Sequence, residues 1–271
     1  MSAFAARVAS NSAFFRSLAV VPVGIFVGGT SGIGQGMAEA FATHTQGNAH
    51  IVIIGRNKAA AEAIIAKFPQ PSSPEAKHEF VQCDVTLMEN VQKTTSDLLS
   101  RLPKINFLVL SPGYTTMKNR DESSEGIDRK MAVHYYARWK FISDLLPALK
   151  KAQSEGEDAK VYSVLSAGYG GNIRVDDLGL KKSFSKAHLS VAAVTYNDLM
   201  MEVHVIALLD CVFTHIPSSS FRNSLRETLE YRSSMPSPEP WTQATRRIQS
   251  RLSSDVPPES PSRSYASSCI L

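Results

Sequence analysis

Residues 28–36 read "GGTSGIGQG", directly after the apolar run "VVPVGIFV" at 20–27. That run has the composition of a buried strand. The residues after it, "GIGQGMAEAFATH" at 32–44, set Ile33, Met37, Ala40 and Phe41 at helical spacing. A glycine-rich turn between such a strand and helix lets backbone N–H groups approach a pyrophosphate, and the helix N-terminus adds a favourable dipole. A plain flexible turn would also use glycines. The strand before and the amphipathic helix after favour the phosphate cradle.

The same alternation continues outward. "AHIVIIG" (49–55) reads as a second strand and "KAAAEAIIAKF" (58–68) as a helix, with a Pro-marked loop at 69–74. "HEFVQCDV" (78–85) is a third strand, followed by a helix at about 88–102. "INFLVLS" (105–111) is a fourth strand, and 128–151 is a long helix carrying Met131, Phe141, Leu145 and Leu149. "AKVYSVLS" (159–166) is a fifth strand, with a helix at about 189–206 and a sixth strand expected in "CVFTHI" (211–216). Strict alternation of strands and helices predicts an α/β fold, a doubly wound parallel sheet with helices on both faces. Right-handed crossovers bring every strand end to one edge, where ligands bind.

Three segments follow from composition. Residues 1–20 are a lead-in, 21–216 the sheet domain, and 217–271 a tail. The tail contains "SSMPSPEP" and "SSDVPPESPSRS", which cannot bury enough surface to offset their ordering entropy. It reads as disordered. The first 25 residues hold Arg7 and Arg16 but no acid. That composition fits either a ragged lead-in to the first strand or a mitochondrial transit peptide.

The 271-residue chain has a formal net charge of +4. It has no dense Lys/Arg run with interleaved aromatics, so nucleic acid is not an expected partner. No apolar run is long enough to span a bilayer, and no membrane partner is expected. Cys83, Cys211 and Cys269 are far apart and odd in number. They argue against a disulfide framework or a zinc site, and for a reducing, cytoplasmic setting.

The spacing of Gly28, then Gly32-Ile33-Gly34, resembles the turn of the short-chain dehydrogenase/reductase family, with Val27 where the family has Thr. The resemblance covers about residues 23–203 and implies a Rossmann fold binding a nicotinamide dinucleotide. Gly28, Thr30, Ser31, Gly32, Ile33 and Gly34 would form its cofactor turn. An NAD enzyme places a carboxylate about 20 residues past the glycines. Here "IIGRN" puts Gly55 at that place and Arg56 beside it. A guanidinium there suits a 2′-phosphate, so NADP(H) is expected. A surface arginine is the plain alternative. Asp84 in "QCDVT" matches the family residue that contacts adenine, and a helix-capping role near Thr86 competes with it. The fourth strand ends Leu110-Ser111-Pro112-Gly113, keeping only the Gly of the family's Asn-Asn-Ala-Gly.

The resemblance also implies a Tyr acid/base, a Lys one turn later, a Ser and an Asn. A Tyr with a free pKa of about 10 needs a cation beside it. Ser166 matches the Ser. Tyr196 in "VTYNDLMME" is the best Tyr, but Met200 stands at the Lys position and His134 at the Asn position. Tyr196 lies much further beyond Ser166 than in most of the family. The intervening segment reads as an insertion whose Lys181, Lys182 or Lys186 could fold back to replace the cation. The pairs Tyr114/Lys118 and Tyr136/Lys140 precede Ser166 and read as coincidences.

"EGIDRKMAVHYYARWKFISDLLP" with the later "TYNDLM" resembles a divergent group of fungal members, which implies a role in secondary metabolism. The expected activity is interconversion of a carbonyl and an alcohol on a small molecule. Tyr196, Ser166 and His134 are the catalytic candidates, and pairing into a homodimer is plausible from the family. The family's closing strand and substrate lid are not recognisable after residue 216, so a truncated or frame-shifted C-terminus is expected. The main rivals are an NADP-binding protein without turnover and an inactive product.

Overall fold

In the computed structural model five strands form one parallel sheet: β1 (Val23–Val27), β2 (His50–Gly55), β3 (Lys77–Gln82), β4 (Phe107–Leu110) and β5 (Lys160–Ser163). Their order is β3-β2-β1-β4-β5. The chain divides into two units, Met1–Phe213 and Thr214–Leu271. The structure describes residues 3–116, 118–165 and 170–209, all in the first unit. Ser166, the sixth strand expected at 211–216 and the tail from 217 lie outside the described residues.

The sequence explains the layering. All five residues of β1 and all four of β4 are buried, as continuous apolar runs are when helices cover both faces of a parallel sheet. On one face α1 (Ala3–Ser17), α2 (Gly32–His44) and α3 (Lys58–Ile65) enclose Phe26, Phe41, Ile51, Ile53 and Phe107. The other side carries α4 (Met88–Arg101), the short α5 (Arg129–Met131), a π turn (Ala132–Tyr136) and α6 (Ala137–Ser154), followed after β5 by α7 (Lys186–Leu209). Phe141, Ile142, Leu145 and Leu149 of α6 are fully buried. The chain switches sides at β1, between β2 and β4, so a crevice opens at the end of β1 where the glycine turn begins.

Three local expectations need correction. The lead-in is not ragged: residues 3–17 form α1. Its Phe15 ring lies 5.2 Å from Phe41 and 5.7 Å from Phe107, and Ser12 Oγ is 2.9 Å from His44 Nδ1. Two adjacent aromatics gave α1 a core to dock on, which composition alone did not reveal. Ile33 does not share the buried face of α2. It is 62% exposed, while Gly34, Ala38, Phe41 and Ala42 are buried. The long helix is interrupted by its π turn, and it begins after Asp128, whose Oδ1 accepts from the N–H groups of Lys130 (3.0 Å) and Met131 (3.2 Å). Among the described residues, no helix is long and apolar enough to cross a membrane.

Candidate active site

The turn after β1 is held by backbone and closed by contacts that only glycine permits. Gly28 has φ +81°, and a Cβ there would lie 2.7 Å from the Pro112 nitrogen. A Cβ on Gly34 would lie 2.5 Å from the Gly28 carbonyl oxygen and 2.7 Å from Ser111 Oγ. These two glycines bring α2, β1 and the end of β4 together. Gly32 differs. Its φ is +58°, and a Cβ there would meet nothing within 4 Å. Ser31 occupies the N-cap of α2, yet its hydroxyl makes no capping bond. An open turn, an unengaged hydroxyl, a helix N-terminus and the exposed Ile33 together fit a phosphate group and the apolar body of a ligand.

The end of β2 borders the same crevice. A Cβ on Gly55 would lie 2.9 Å from Thr30 Cγ2, so Thr30 fills the place a carboxylate side chain would need. Arg56 is exposed and pairs with no carboxylate among the described residues. Asp84 behaves as a turn former, since its Oδ1 accepts from the Thr86 N–H at 3.0 Å.

On the other side of the crevice, β4 ends in Ser111-Pro112-Gly113. His134, inside the π turn, sits over it, and a Cβ on Gly113 would lie 3.4 Å from His134 Cε1 and 3.9 Å from Nδ1. His134 Nε2 is 3.2 Å from the Tyr114 carbonyl oxygen. A carbonyl can only accept, so Nε2 carries the proton and Nδ1 is left as an acceptor. Burial pulls the imidazole below its ordinary pKa, and the charges of Arg138 and Lys130 act the same way. The Tyr114 carbonyl and Asp128 oppose them without prevailing. The result is a neutral, oriented acceptor at the strand edge.

Tyr196 is differently placed. It is 7% exposed, its ring lies 5.2 Å from that of Tyr135, and its hydroxyl donates to the Leu178 carbonyl at 3.1 Å. Burial, then the neighbouring Tyr136 and Asp177, push its phenol up to about 12. Met200, one turn later, is fully buried. The Tyr196 hydroxyl is thus engaged, and among the described residues no cation acts to lower its pKa. Nor does the inserted segment restore one. Lys182 turns to the carbonyl of Asp176 at 2.9 Å, and Lys181 and Lys186 are exposed. Asp177 instead caps this segment, accepting from the N–H groups of Lys181 (2.7 Å), Lys182 (3.0 Å) and Ser183 (2.9 Å). Of the motif coincidences, Lys140 pairs with Asp144 at 3.0 Å.

Sequence reasoning missed two residues beside Tyr196 and His134. Asn197 donates to the His134 carbonyl at 2.7 Å and accepts from Ser163 Oγ at 2.9 Å. Arg138, 1% exposed, donates to Ser163 Oγ at 2.8 Å. An arginine four residues after His134 on a helix face otherwise marked by Phe141 and Leu145 was the available signal.

Comparison with known proteins bears on the family and the fold. A family model described as short chain dehydrogenase matches residues 23–173, more than half of the chain. Oxidoreductase AN1596 of Emericella nidulans is 34% identical over 195 residues, covering 72% of this chain and 56% of its own length. Oxidoreductase andH of Emericella variicolor is 30% identical over 194 residues, with 72% and 56% covered. The chain thus spans about half the length of the curated relatives it matches. Among solved structures, a metagenomic short-chain oxidoreductase in complex with NADP superposes with a TM-score of 0.50 at 17% identity, covering 67% of this chain and 75% of that one. A short-chain dehydrogenase from Streptomyces avermitilis gives 0.50 at 19% identity, covering 69% and 63%. These two likenesses concern the fold.

Proposed function

The chain belongs to the short-chain dehydrogenase family, and on that premise we propose that it is an NADP(H)-dependent oxidoreductase interconverting a carbonyl and an alcohol on a small molecule. The observation that carries the reading is the crevice at the end of β1. There, an open glycine turn with an unengaged Ser31 hydroxyl lies beside the end of β2, where Thr30 occupies the space of a competing acid and the exposed Arg56 follows Gly55.

In this reading the α2 N-terminus, Thr30, Ser31 and Gly32 hold the pyrophosphate, and Ile33 covers the apolar face of the ligand. Arg56 pairs with the 2′-phosphate, Gly113 leaves room beside β4, and Asp84 borders the adenine end. When bound, the nicotinamide supplies or takes the hydride. In the alcohol-to-carbonyl direction the hydroxyl proton passes to the chain, and in the reverse direction the protonated group returns it. His134 is the group we propose for this, and Ser166 and Tyr196 are the alternatives that the sequence offers. His134 is neutral, its Nε2–H is fixed on the Tyr114 carbonyl, and Nδ1 can accept a proton from an alcohol or relay one through water. Titration with NADPH and NADH, followed by nicotinamide fluorescence, tests the cofactor reading. Tight NADPH and weak NADH binding is expected. Binding of neither would end it.

The absence of the Tyr–Lys pair favours a second reading, a dinucleotide-binding protein without turnover. Consumption of NADPH in the presence of a panel of carbonyl compounds separates the two.

A further inference from the structure

Arg138 is the largest fully buried side chain among the described residues, and it pairs with no carboxylate there. Its Nη1 donates to the Leu110 carbonyl (3.1 Å), Ser163 Oγ (2.8 Å) and the Val164 carbonyl (3.0 Å), and its Nη2 to the Pro112 carbonyl (2.6 Å). Its Nε is buried without a partner. Taking an unpaired guanidinium out of water is unfavourable, and an apolar side chain of similar volume would fill the same space without that penalty. Packing between β4, β5 and α6 therefore does not account for the charge.

Its connections do. Pro112 lies two residues before Tyr114, whose carbonyl fixes the His134 tautomer. Ser163, held by Arg138, donates to Asn197 Oδ1 (2.9 Å), and Asn197 Nδ2 donates to the His134 carbonyl (2.7 Å) and the Ala193 carbonyl (2.8 Å). One guanidinium thus reaches His134 from both sides, through the partner of its ring and through its own peptide. The π turn matters here. Within Ala132–Tyr136 the helical bonding shifts by one residue, as the Ala137 N–H bonding to the Ala132 carbonyl shows. The groups facing the imidazole are Tyr114 from the segment after β4, Asp128 and Lys130 around α5, and Arg138 from α6.

We propose that Arg138, acting through Pro112 and through Ser163–Asn197, is the positioning residue that holds His134 as a single Nε2–H tautomer with Nδ1 presented at Gly113. The use made of Nδ1 rests on the oxidoreductase reading. The tautomer itself is a property of the free chain.

The test is long-range proton–nitrogen NMR of histidine-labelled, cofactor-free protein across a pH series, for the wild type, Arg138→Met, Ser163→Ala and Asn197→Ala. The wild type should show His134 as the Nε2–H form at neutral pH. Arg138→Met should replace that form by a mixture and move the titration midpoint up towards the ordinary 6.5. Ser163→Ala removes no charge and should keep the fold. It and Asn197→Ala should shift the same signals by less, leaving the other six of the seven histidines unmoved. An unchanged tautomer and midpoint in folded Arg138→Met would overturn the proposal. If that variant does not fold, unchanged signals in both Ser163→Ala and Asn197→Ala would do so. NADPH titration of the same samples keeps the readings apart, since a wild type that ignores NADPH but shows the fixed tautomer refutes only the oxidoreductase reading.

Discussion

The side of the crevice reached by β1 and β2 is built from backbone, whereas the side reached by β4 and β5 is built from side chains. On the first side the proposed working parts are a left-handed Gly32, the close approaches of Gly28 and Gly34, and the N-terminus of α2. On the second side they are His134, Arg138, Ser163 and Asn197, linked in one hydrogen-bond chain. The two sides have different freedom to change. A backbone cradle needs glycine wherever a Cβ would strike a neighbour, and no other residue supplies that. A proton-handling cluster needs a donor, an acceptor and a charge, which several residue types and positions can supply. The first side carries the glycine spacing that resembles the family's, and among the described residues the second sets a neutral histidine beside a buried arginine.

The comparison is broken most severely by adding a side chain to the backbone half. In Gly34→Val, the new Cβ would lie 2.5 Å from the Gly28 carbonyl and 2.7 Å from Ser111 Oγ. Neither the strand nor the helix can yield without opening the turn. Overpacking of this kind costs about 1–3 kcal/mol or more. Thermal unfolding should show that loss, and NADPH binding should vanish in the fluorescence titration. Retained binding would mean that the turn is not the cradle.

Arg56 sharpens the same half. A charge-assisted bond to a phosphate is worth about 1.5–3 kcal/mol, so Arg56→Ala should weaken NADPH by about 10- to 100-fold and leave NADH unchanged. The exposed position of Arg56 makes a folding effect small. Equal losses for both dinucleotides would reassign Arg56 to general binding.

These two halves also differed in how far they could be read from sequence. The doubly wound sheet was legible because β1, β2 and β4 are continuous apolar runs bounded by turns, and a buried parallel strand has no other way to look. The turn proposed as the cradle was legible as a strand–turn–helix because its glycines stand at fixed spacing beside a strand and a helix. The proton side was not. Tyr196 was singled out as a tyrosine on the helix after β5, but a helix presents different residues every 100°, and the next residue, Asn197, is the one that reaches Ser163 and His134. Arg138 was passed over because a charge amid apolar residues reads as a helix-surface position until its four acceptors on and just after β4 and β5 are known. Lys181, Lys182 and Lys186 were attractive for their charge alone. The hydrogen bonds that tie their segment to Asp177 carry no pattern in sequence.

Within the side-chain half, Tyr196→Phe separates a packing role from a chemical one. The ring contact with Tyr135 is kept, and the bond to the Leu178 carbonyl is lost. Stability should fall by about 1 kcal/mol. NADPH-dependent turnover and its pH profile should not change, because the phenol, raised to about 12, does not titrate in the working range. A steep loss of turnover with binding retained would restore Tyr196 as the proton-exchanging group.

The smallest effect concerns His134 and acid. Its pKa in the folded chain lies below the ordinary 6.5, so on acidification the unfolded chain takes up its proton first. Its contribution to stability is full above 6.5 and declines as the pH falls below that value, levelling off once the folded form is also protonated. His50 is lowered too, chiefly by burial, against its bond to Glu79, so it adds a slope of the same sign. The wild type alone therefore cannot identify the source. In His134→Gln the amide can still donate to the Tyr114 carbonyl but has no proton to gain. The melting temperature of this variant, followed over the range of about pH 5–8 in which histidine titrates, should decline less steeply than that of the wild type. The two curves should differ in slope below 6.5 and run parallel above it. Parallel curves throughout would mean that the imidazole titrates as freely in the folded chain as in the unfolded one. A base kept neutral by its surroundings could not then be claimed for the side-chain half.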